Sequence, residues 1–247
     1  DARLLMAHAL GIAQDRLTLH LPEGMTTPQG AAYEAAITAR LARQPVAQII
    51  GQRQFWGLTF RVTQDTLDPR PDTEALVAEA LKGPFQTLLD LGTGTGCILL
   101  SCLHASPQAQ GLGIDLSPEA IAVAESNAQS LGLAARAQFQ RSDWFSTVTG
   151  RFDLIVSNPP YIAADEMPTL APEVRDWEPH LALTPGGDGL TPYRIIAREA
   201  PRHLTGQGRL LVEIGPTQGQ AVSALFAAAG LHNIRILPDM DGRDRVV

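Results

Sequence analysis

With 247 residues, 45% of them hydrophobic and 18% charged, the chain can bury a substantial core and is too apolar for intrinsic disorder. A formal net charge of −7 argues against general affinity for nucleic acid, which requires neutralised phosphates. No apolar run approaches the roughly 20 residues that span a bilayer, and no signal-like leader opens the chain, so no membrane contact and a cytoplasmic location are expected.

Residues 1–52 read as a small helical unit. Leu4, Leu5, His8 and Ala9 recur at helical spacing, Gly11 breaks the pattern, and Tyr33, Ile37 and Leu41 resume it beyond Pro28-Gln29-Gly30. The charges cancel, Asp1, Asp15, Glu23 and Glu34 against Arg3, Arg16, Arg40 and Arg43, which suits a packing or docking module better than a polyanion binder. Because the helical pattern is already running at residue 1, a further upstream helix is expected.

Residues 53–75 change character. Aromatic and β-branched residues around Gly57 predict a β-hairpin over 54–62, and Pro69 and Pro71 stiffen the extended link that follows. Asp72 or Thr73 is placed to cap a helix over Glu74–Leu81; the competing reading turns Arg70 and Thr73 toward a ligand.

From residue 76 to 247 strand and helix alternate. Strands are predicted near 87–91, 111–115, 137–142, 152–157, 209–214, 233–237 and 243–247, and helices near 96–104, 118–130, 192–204 and 217–229. Such alternation predicts an α/β fold, a Rossmann-like sheet of seven mostly parallel strands covered on both faces. Only Pro238 to Gly242 separates the last two strands, too few residues for a crossover helix, so they are expected to be antiparallel. Cys97 and Cys102 read as buried small hydrophobes, and the scattered histidines give no metal-ligand pattern.

The chemistry is concentrated at strand ends. Asp90-Leu91-Gly92-Thr93-Gly94-Thr95-Gly96 joins an acid to alternate glycines at the start of a helix, where a backbone free of Cβ atoms lets a ligand approach and the helix N-terminus offers N–H groups to an anion. The next strand ends in Asp115, in register to accept from both ribose hydroxyls of an adenosine, while Ser117 is the better cap for the helix opening at Pro118. Asp143 and Trp144 follow the third strand; Trp144 can cover an adenine face and Asp143 can accept from its exocyclic amine. The fourth strand, Phe152–Ser157, runs into Asn158-Pro159-Pro160-Tyr161, where two prolines end the ladder and make a rigid tip.

These strand ends resemble those of the class I S-adenosylmethionine-dependent methyltransferases, and Asn158-Pro159-Pro160-Tyr161 resembles the motif of enzymes that methylate a planar nitrogen. Arg70-Pro71-Asp72-Thr73-Glu74, Glu173-Val174 with Glu178-Pro179, Gly187-Asp188-Gly189-Leu190, Glu213-Ile214-Gly215 with Gln218, and Gly242-Arg243-Asp244-Arg245 extend the likeness along the chain. As a set they resemble the release-factor glutamine N5-methyltransferase family, also called HemK. The resemblance implies a helical N-terminal domain that helps hold a peptide chain release factor, and a monomeric enzyme that methylates the glutamine of its Gly-Gly-Gln loop. It also implies S-adenosylmethionine bound by Arg70, Thr73, Asp90, the Gly92–Gly96 loop, Asp115, Asp143, Trp144 and Asn158. Asn158 and the Pro159 carbonyl are then expected to accept the two N–H bonds of the substrate amide, with Pro160 and Tyr161 packing against it. Two residues depart from the family pattern: Asp68 replaces an aliphatic residue, and Asp72 replaces glutamate with the charge kept. A ribosomal-protein glutamine methyltransferase and an adenine N6-methyltransferase are the alternatives. A Rossmann-type nucleotide sensor without catalysis is a third, although a mere binder has no reason to carry the Asn-Pro-Pro-Tyr tip.

Overall fold

A computed structural model describes residues 1–247. Helices α1 (Ala2–Leu10), α2 (Leu17–His20), α3 (Thr27–Leu41) and α4 (Val46–Ile50) come first. Thr26 and Gln29 form a reciprocal capping box at the start of α3, and Gly11, in the left-handed conformation, ends α1. Strands β1 (Gln52–Phe55) and β2 (Leu58–Arg61) then form the expected antiparallel hairpin. Its two turn residues, Trp56 and Gly57, both have positive φ, 51° and 72°, the signature of a twist-matched two-residue turn.

The linker enters α5 (Glu74–Ala80) through a single 3₁₀ turn, Pro71–Thr73. Neither Asp72 nor Thr73 caps this helix with its side chain, contrary to the first of the two sequence readings. Both side chains are engaged elsewhere, as described below.

The remaining elements are β3 (Thr87–Leu91), α6 (Cys97–Ala105), β4 (Gln110–Asp115), α7 (Pro118–Ser130), β5 (Ala137–Arg141) and β6 (Phe152–Ser157). Short helices α8 (Pro172–Arg175) and α9 (His180–Leu183) precede α10 (Thr191–His203), β7 (Leu204–Val212), α11 (Gly219–Ala228), β8 (Leu237–Pro238) and β9 (Asp244–Val246). Five strands form one parallel sheet in the order β5-β4-β3-β6-β7. Successive residues alternate between its faces. Leu88, Leu154 and Val156 pack with α5, α6 and the hairpin residues Phe55 and Phe60, whereas Leu89 and Ile155 pack with Tyr193 and Ile196 of α10 and Phe226 of α11.

The expected seven-stranded sheet is thus a five-stranded one with an antiparallel pair, β8–β9, at its edge. The pair is docked rather than separate. Val212 and Val247 exchange backbone hydrogen bonds of 2.8 and 2.9 Å, and the Ile214 N–H donates to the Arg245 carbonyl at 2.8 Å. Residues 233–236, predicted as strand, form none, and β8 is confined to Leu237–Pro238.

Candidate active site

Parallel register brings the carboxyl ends of neighbouring strands to one level. Leu91 pairs with Ile114 on one side and Ser157 on the other, so Gly92, Asp115 and Asn158 all leave the sheet together. The Ser157 hydroxyl donates to the Leu91 carbonyl at 2.8 Å, and the Thr93 N–H donates to the Ile114 carbonyl at 2.8 Å, tying the glycine loop to both neighbours. Gly113 is required beneath it: a Cβ there would lie 2.8 Å from the Thr93 hydroxyl and from the Phe139 ring. Above these tips lies a cavity of about 310 Å³, at the place where open α/β sheets bind ligands.

Of the expected cofactor residues, Gly92, Thr93, Gly94 and Thr95 form its floor, Asp115, Asp143 and Trp144 one wall, and Arg70, Thr73 and Asn158 the other. Pro160 also lines it. Asp90, Gly96, Pro159 and Tyr161 do not. Asp90 is fully buried under the loop, where its carboxylate accepts from the Thr93 hydroxyl at 2.7 Å; burial, chiefly, pushes its pKa up to about 7. Gly96 packs against Leu100 and Ala124. Tyr161 stands behind the tip with its hydroxyl 3.5 Å from Glu213 and its pKa raised, first by burial and then by the Glu213 charge.

Part of the glycine loop is already engaged within the protein: the Gly94 N–H donates to the Asp115 carboxylate at 2.9 Å and the Gly96 N–H to the Thr93 carbonyl at 2.8 Å. Asp115 also accepts from the Ser117 N–H at 3.0 Å, while Ser117, as expected, caps α7. Burial raises the Asp115 pKa and these N–H donors lower it in part. Asp143 is exposed at the cavity mouth and caps a short 3₁₀ turn, and Trp144 is held at a φ of 48°, a left-handed conformation uncommon for a bulky residue.

The lining carries Asp65, Asp68, Asp115 and Asp143 against a single cation, Arg70, whose guanidinium is 2.5 Å from Glu178. Such a wall repels a pyrophosphate and fits a ligand with excess positive charge. S-adenosylmethionine, with a sulfonium and an ammonium against one carboxylate, has that balance, and Asp115 keeps lone pairs for a diol beyond those given to Gly94 and Ser117.

Residues 63–187 match the family described as Methyltransferase small domain, and residues 1–51 match the PrmC N-terminal domain. The release factor glutamine methyltransferase of Cereibacter sphaeroides is 62% identical over 247 residues, covering 100% of this chain and 89% of the relative. The chain belongs to the release factor glutamine methyltransferase family. Its relative of the same name from Rhodospirillum rubrum is 46% identical, over 99% of this chain and 76% of that protein. A solved methyltransferase from Pyrococcus furiosus superposes with a TM-score of 0.59 over 86% of this chain and 94% of its own, and at 16% identity that likeness shows the fold alone.

Several residues of this family member complete the site without having been singled out from sequence as site residues. Gln64 to Pro69 and Pro179, Leu181 and Ala182 supply cavity walls. Glu178 is buried on Arg70 and its pKa is pushed up to about 7, principally by burial and further by nearby Asp68, against the pull of Arg70. Asn127 on α7 accepts from the Arg61 N–H at 2.7 Å and donates to the carbonyls of Arg61 and Thr95 at 3.2 and 2.9 Å, fastening the hairpin to the glycine loop. Arg245 binds Asp239 at 3.0 Å and Asp72 at 3.1 Å, which explains why Asp72 does not cap α5.

The segment after the tip, residues 163–190, reaches back to the N-terminal helices. Glu173 meets Arg40 and Arg43 at 3.2 and 2.9 Å, the Trp177 indole donates to the Ala42 carbonyl at 3.1 Å, and Gln48 donates to the Trp177 carbonyl at 3.0 Å. At its other end Gly189, with a φ of +74°, lies so close to Tyr161 that a Cβ would come within 2.3 Å of the tyrosine carbonyl oxygen. The motif glycine is thereby accounted for by close approach of two backbones.

Proposed function

We propose that this chain transfers a methyl group from S-adenosylmethionine to the side-chain amide nitrogen of a glutamine in peptide chain release factors, the glutamine of their Gly-Gly-Gln loop. One observation carries the reading: the Asn158 tip closes one wall of an acid-lined cavity whose floor is the Gly92–Thr95 loop. Membership of the release factor glutamine methyltransferase family supplies the substrate class.

An amide nitrogen is a weak nucleophile because its lone pair is delocalised into the carbonyl, so the protein contributes orientation. The Asn158 side-chain oxygen and the Pro159 carbonyl accept the two N–H bonds of the substrate amide and aim its nitrogen along the cavity. When bound, S-adenosylmethionine supplies a methyl group activated by a sulfonium. Holding two reactants at such a distance and angle is worth roughly 7 to 11 kcal/mol of barrier. The acceptor oxygens also stabilise positive charge as it develops on the nitrogen, which then sheds a proton without needing a base beforehand. Pro160 and Tyr161 keep the tip rigid and flank the amide. Arg70 and Thr73, with the glycine loop, Asp115, Asp143 and Trp144, hold the cofactor.

Residues 1–52 form the release-factor-docking domain in this reading, 53–75 the link and 76–247 the catalytic domain. The ion pairs from Arg40 and Arg43 to Glu173 support it, because they connect the helical unit to the segment that leaves the tip. Since release factors work on cytoplasmic ribosomes, the cytoplasm is the proposed location. The test is labelled methyl transfer to a release factor and to its variant with the Gly-Gly-Gln glutamine replaced. Label on the first and none on the second is expected. Label on a ribosomal protein or on adenine in DNA, with none on the release factor, would overturn the assignment.

A further inference from the structure

Of the four carboxylates that line the cofactor cavity, three are already satisfied. Asp115 accepts from the Gly94 and Ser117 N–H groups, Asp65 accepts from the Thr63 hydroxyl at 3.1 Å, and Asp143 is exposed at the mouth, where water reaches it. Asp68 differs. Its side chain is only 9% exposed, its Oδ1 is buried with no hydrogen-bond partner, and the nearest cation, Arg53 of β1, stands off at 3.6 Å. An ionised carboxylate can only accept, and burying one without a donor costs stability, so the position calls for a donor that the chain itself does not supply.

The linker dictates what kind of donor fits. Asp68 precedes a proline and is held extended, and Arg70 is extended at φ −97° and ψ 143°, so both side chains leave Asp68-Pro69-Arg70 on the cavity side. Their Cα atoms are about 7 Å apart, two residues of extended chain. Arg70 gives one nitrogen, Nη2, to Glu178 and keeps further donors for the cavity. Thr73, the next polar group of this wall, already accepts from the Asn158 amide nitrogen at 3.3 Å. An acceptor that lacks a donor thus stands beside a fork of donors, the complement of an ammonium and a carboxylate carried by one carbon. Glu178, on the other side of Arg70, also keeps an oxygen without a partner, so what this wall lacks is a second buried cation.

We propose that Asp68 is the counter-ion of the α-ammonium of S-adenosylmethionine, seating the amino-acid end of the cofactor against the linker wall. The inference rests on the cofactor placement given above and adds to it a residue and a direction. Adenosine lies toward Asp115, Asp143 and Trp144 on one wall, and the amino acid lies toward Asp68 and Arg70 on the other. Because Asp68 is buried, solvent screens the contact little, and the charge pair is worth more than an exposed one.

Calorimetric titration tests the contact without turnover. One ligand is S-adenosylhomocysteine, whose sulfur is uncharged so that the α-ammonium is its only cation. The other is the same molecule with hydrogen in place of the α-amino group. Wild type should bind the first about 10- to 100-fold more tightly than the second, the worth of a charge-assisted hydrogen bond. Asp68→Asn and Asp68→Leu should lose that preference: each binds the amine-bearing ligand about as weakly as wild type binds the deaminated one, and binds the deaminated one within about threefold of wild type. Both substitutions remove a buried carboxylate that has no donor, so neither should lower the melting temperature of the unliganded protein. If Asp68→Leu fails to fold, the near-isosteric Asp68→Asn decides. Equal affinity of wild type for the two ligands overturns the inference, as does a variant that keeps the wild-type preference. Equal weakening of both ligands in the variants overturns it too, by making Asp68 a support of the linker wall. Wild type that binds neither ligand nor S-adenosylmethionine refutes the placement of the cofactor itself and takes the inference with it.

Discussion

Arg70 and Glu178 meet at 2.5 Å, joining the linker before α5 to the segment that walls the far side of the cofactor cavity. The pair is asymmetric: the Glu178 side chain is 2% exposed and that of Arg70 is 38% exposed. Replacing Arg70 by Met leaves Glu178 and Asp68 buried without their shared cation. A loss of about 1 to 3 kcal/mol in stability is expected, less than for a fully buried pair because solvent screens Arg70. Cofactor affinity should fall as well, since Pro179, Leu181 and Ala182 follow directly after Glu178 and line the cavity. Because both residues act through one contact, the double variant Arg70→Met, Glu178→Gln should bind cofactor no worse than Arg70→Met alone. Thermal unfolding and calorimetry read both effects.

Asp115 has two duties, and its removal should show both. Asp115→Ala is expected to weaken S-adenosylmethionine binding by a few kcal/mol, the cost of charge-assisted contacts to a diol. From sequence alone the unliganded protein would keep its stability. The Gly94 and Ser117 N–H bonds change that expectation to a loss of about 1 to 3 kcal/mol, as two partly buried donors lose their acceptor. Trp144, in the same cavity, gives a fluorescence signal for the titration.

Asn158→Ala removes one of two acceptors proposed for the substrate amide. A fall in kcat of about 10² to 10³ is expected, with a much smaller change in cofactor affinity. Asn158→Asp keeps an acceptor and adds a charge near the sulfonium, so cofactor binding should be equal or tighter while turnover is impaired. Single-turnover transfer beside calorimetry separates the two, and near-normal turnover in the alanine variant would reduce the tip to a structural turn.

The parts of this site that could be read from the sequence are those encoded over a few consecutive residues. A buried strand followed by glycines, an acid at a strand end and two prolines after an apolar run are local patterns, and β3, β4 and β6 deliver them to one level. What could not be read depends on distant pairing. The Arg70 side chain points into a ligand cavity, yet its charge goes to Glu178, and Asn127 looks like any polar residue on a helix until Arg61 and Thr95 surround it. Asp72 has the composition of a cap and is drawn off by Arg245. The first of the two terminal strands is shorter than its local β propensity suggests for a similar reason: its pairing with β9, which is itself fastened by the bond from Ile214 to Arg245, sets its length.

Glu173 offers a test of coupling between the helical unit and the tip. Its contacts with Arg40 and Arg43 lie near the surface, so Glu173→Ala should leave thermal stability nearly unchanged. Methylation of an intact release factor should fall several-fold, because remote binding energy aligns the loop, whereas a short glutamine peptide, which cannot reach the helices, should be methylated at the wild-type rate. Equal rates for Glu173→Ala and wild type on the intact factor would remove the coupling.

Asp90 gives the protein a pH signature. Its carboxyl has an ordinary pKa of 3.8 and one of about 7 when folded, so between those values the folded chain holds a proton that the unfolded chain releases. Stability from this group therefore decreases as pH rises through that window and is constant above it. Relative to Asp90→Asn, wild type should lose melting temperature between about pH 4 and about pH 7, and a flat difference would show that the Asp90 pKa is not raised in the fold.

Arg245 grips Asp72 and Asp239 beneath the Asn158 tip, and that contact governs the order in which a newly made chain can become an enzyme. Synthesis delivers the linker, the glycine loop and the tip long before Arg245. Until β9 emerges, Asp72 lacks its cation and the Glu213 edge of the sheet lacks its antiparallel neighbour. A nascent chain can thus fold its central strands on the ribosome while its catalytic corner stays open, and activity arises in a late step that closes the ion pair of greatest sequence separation in the fold.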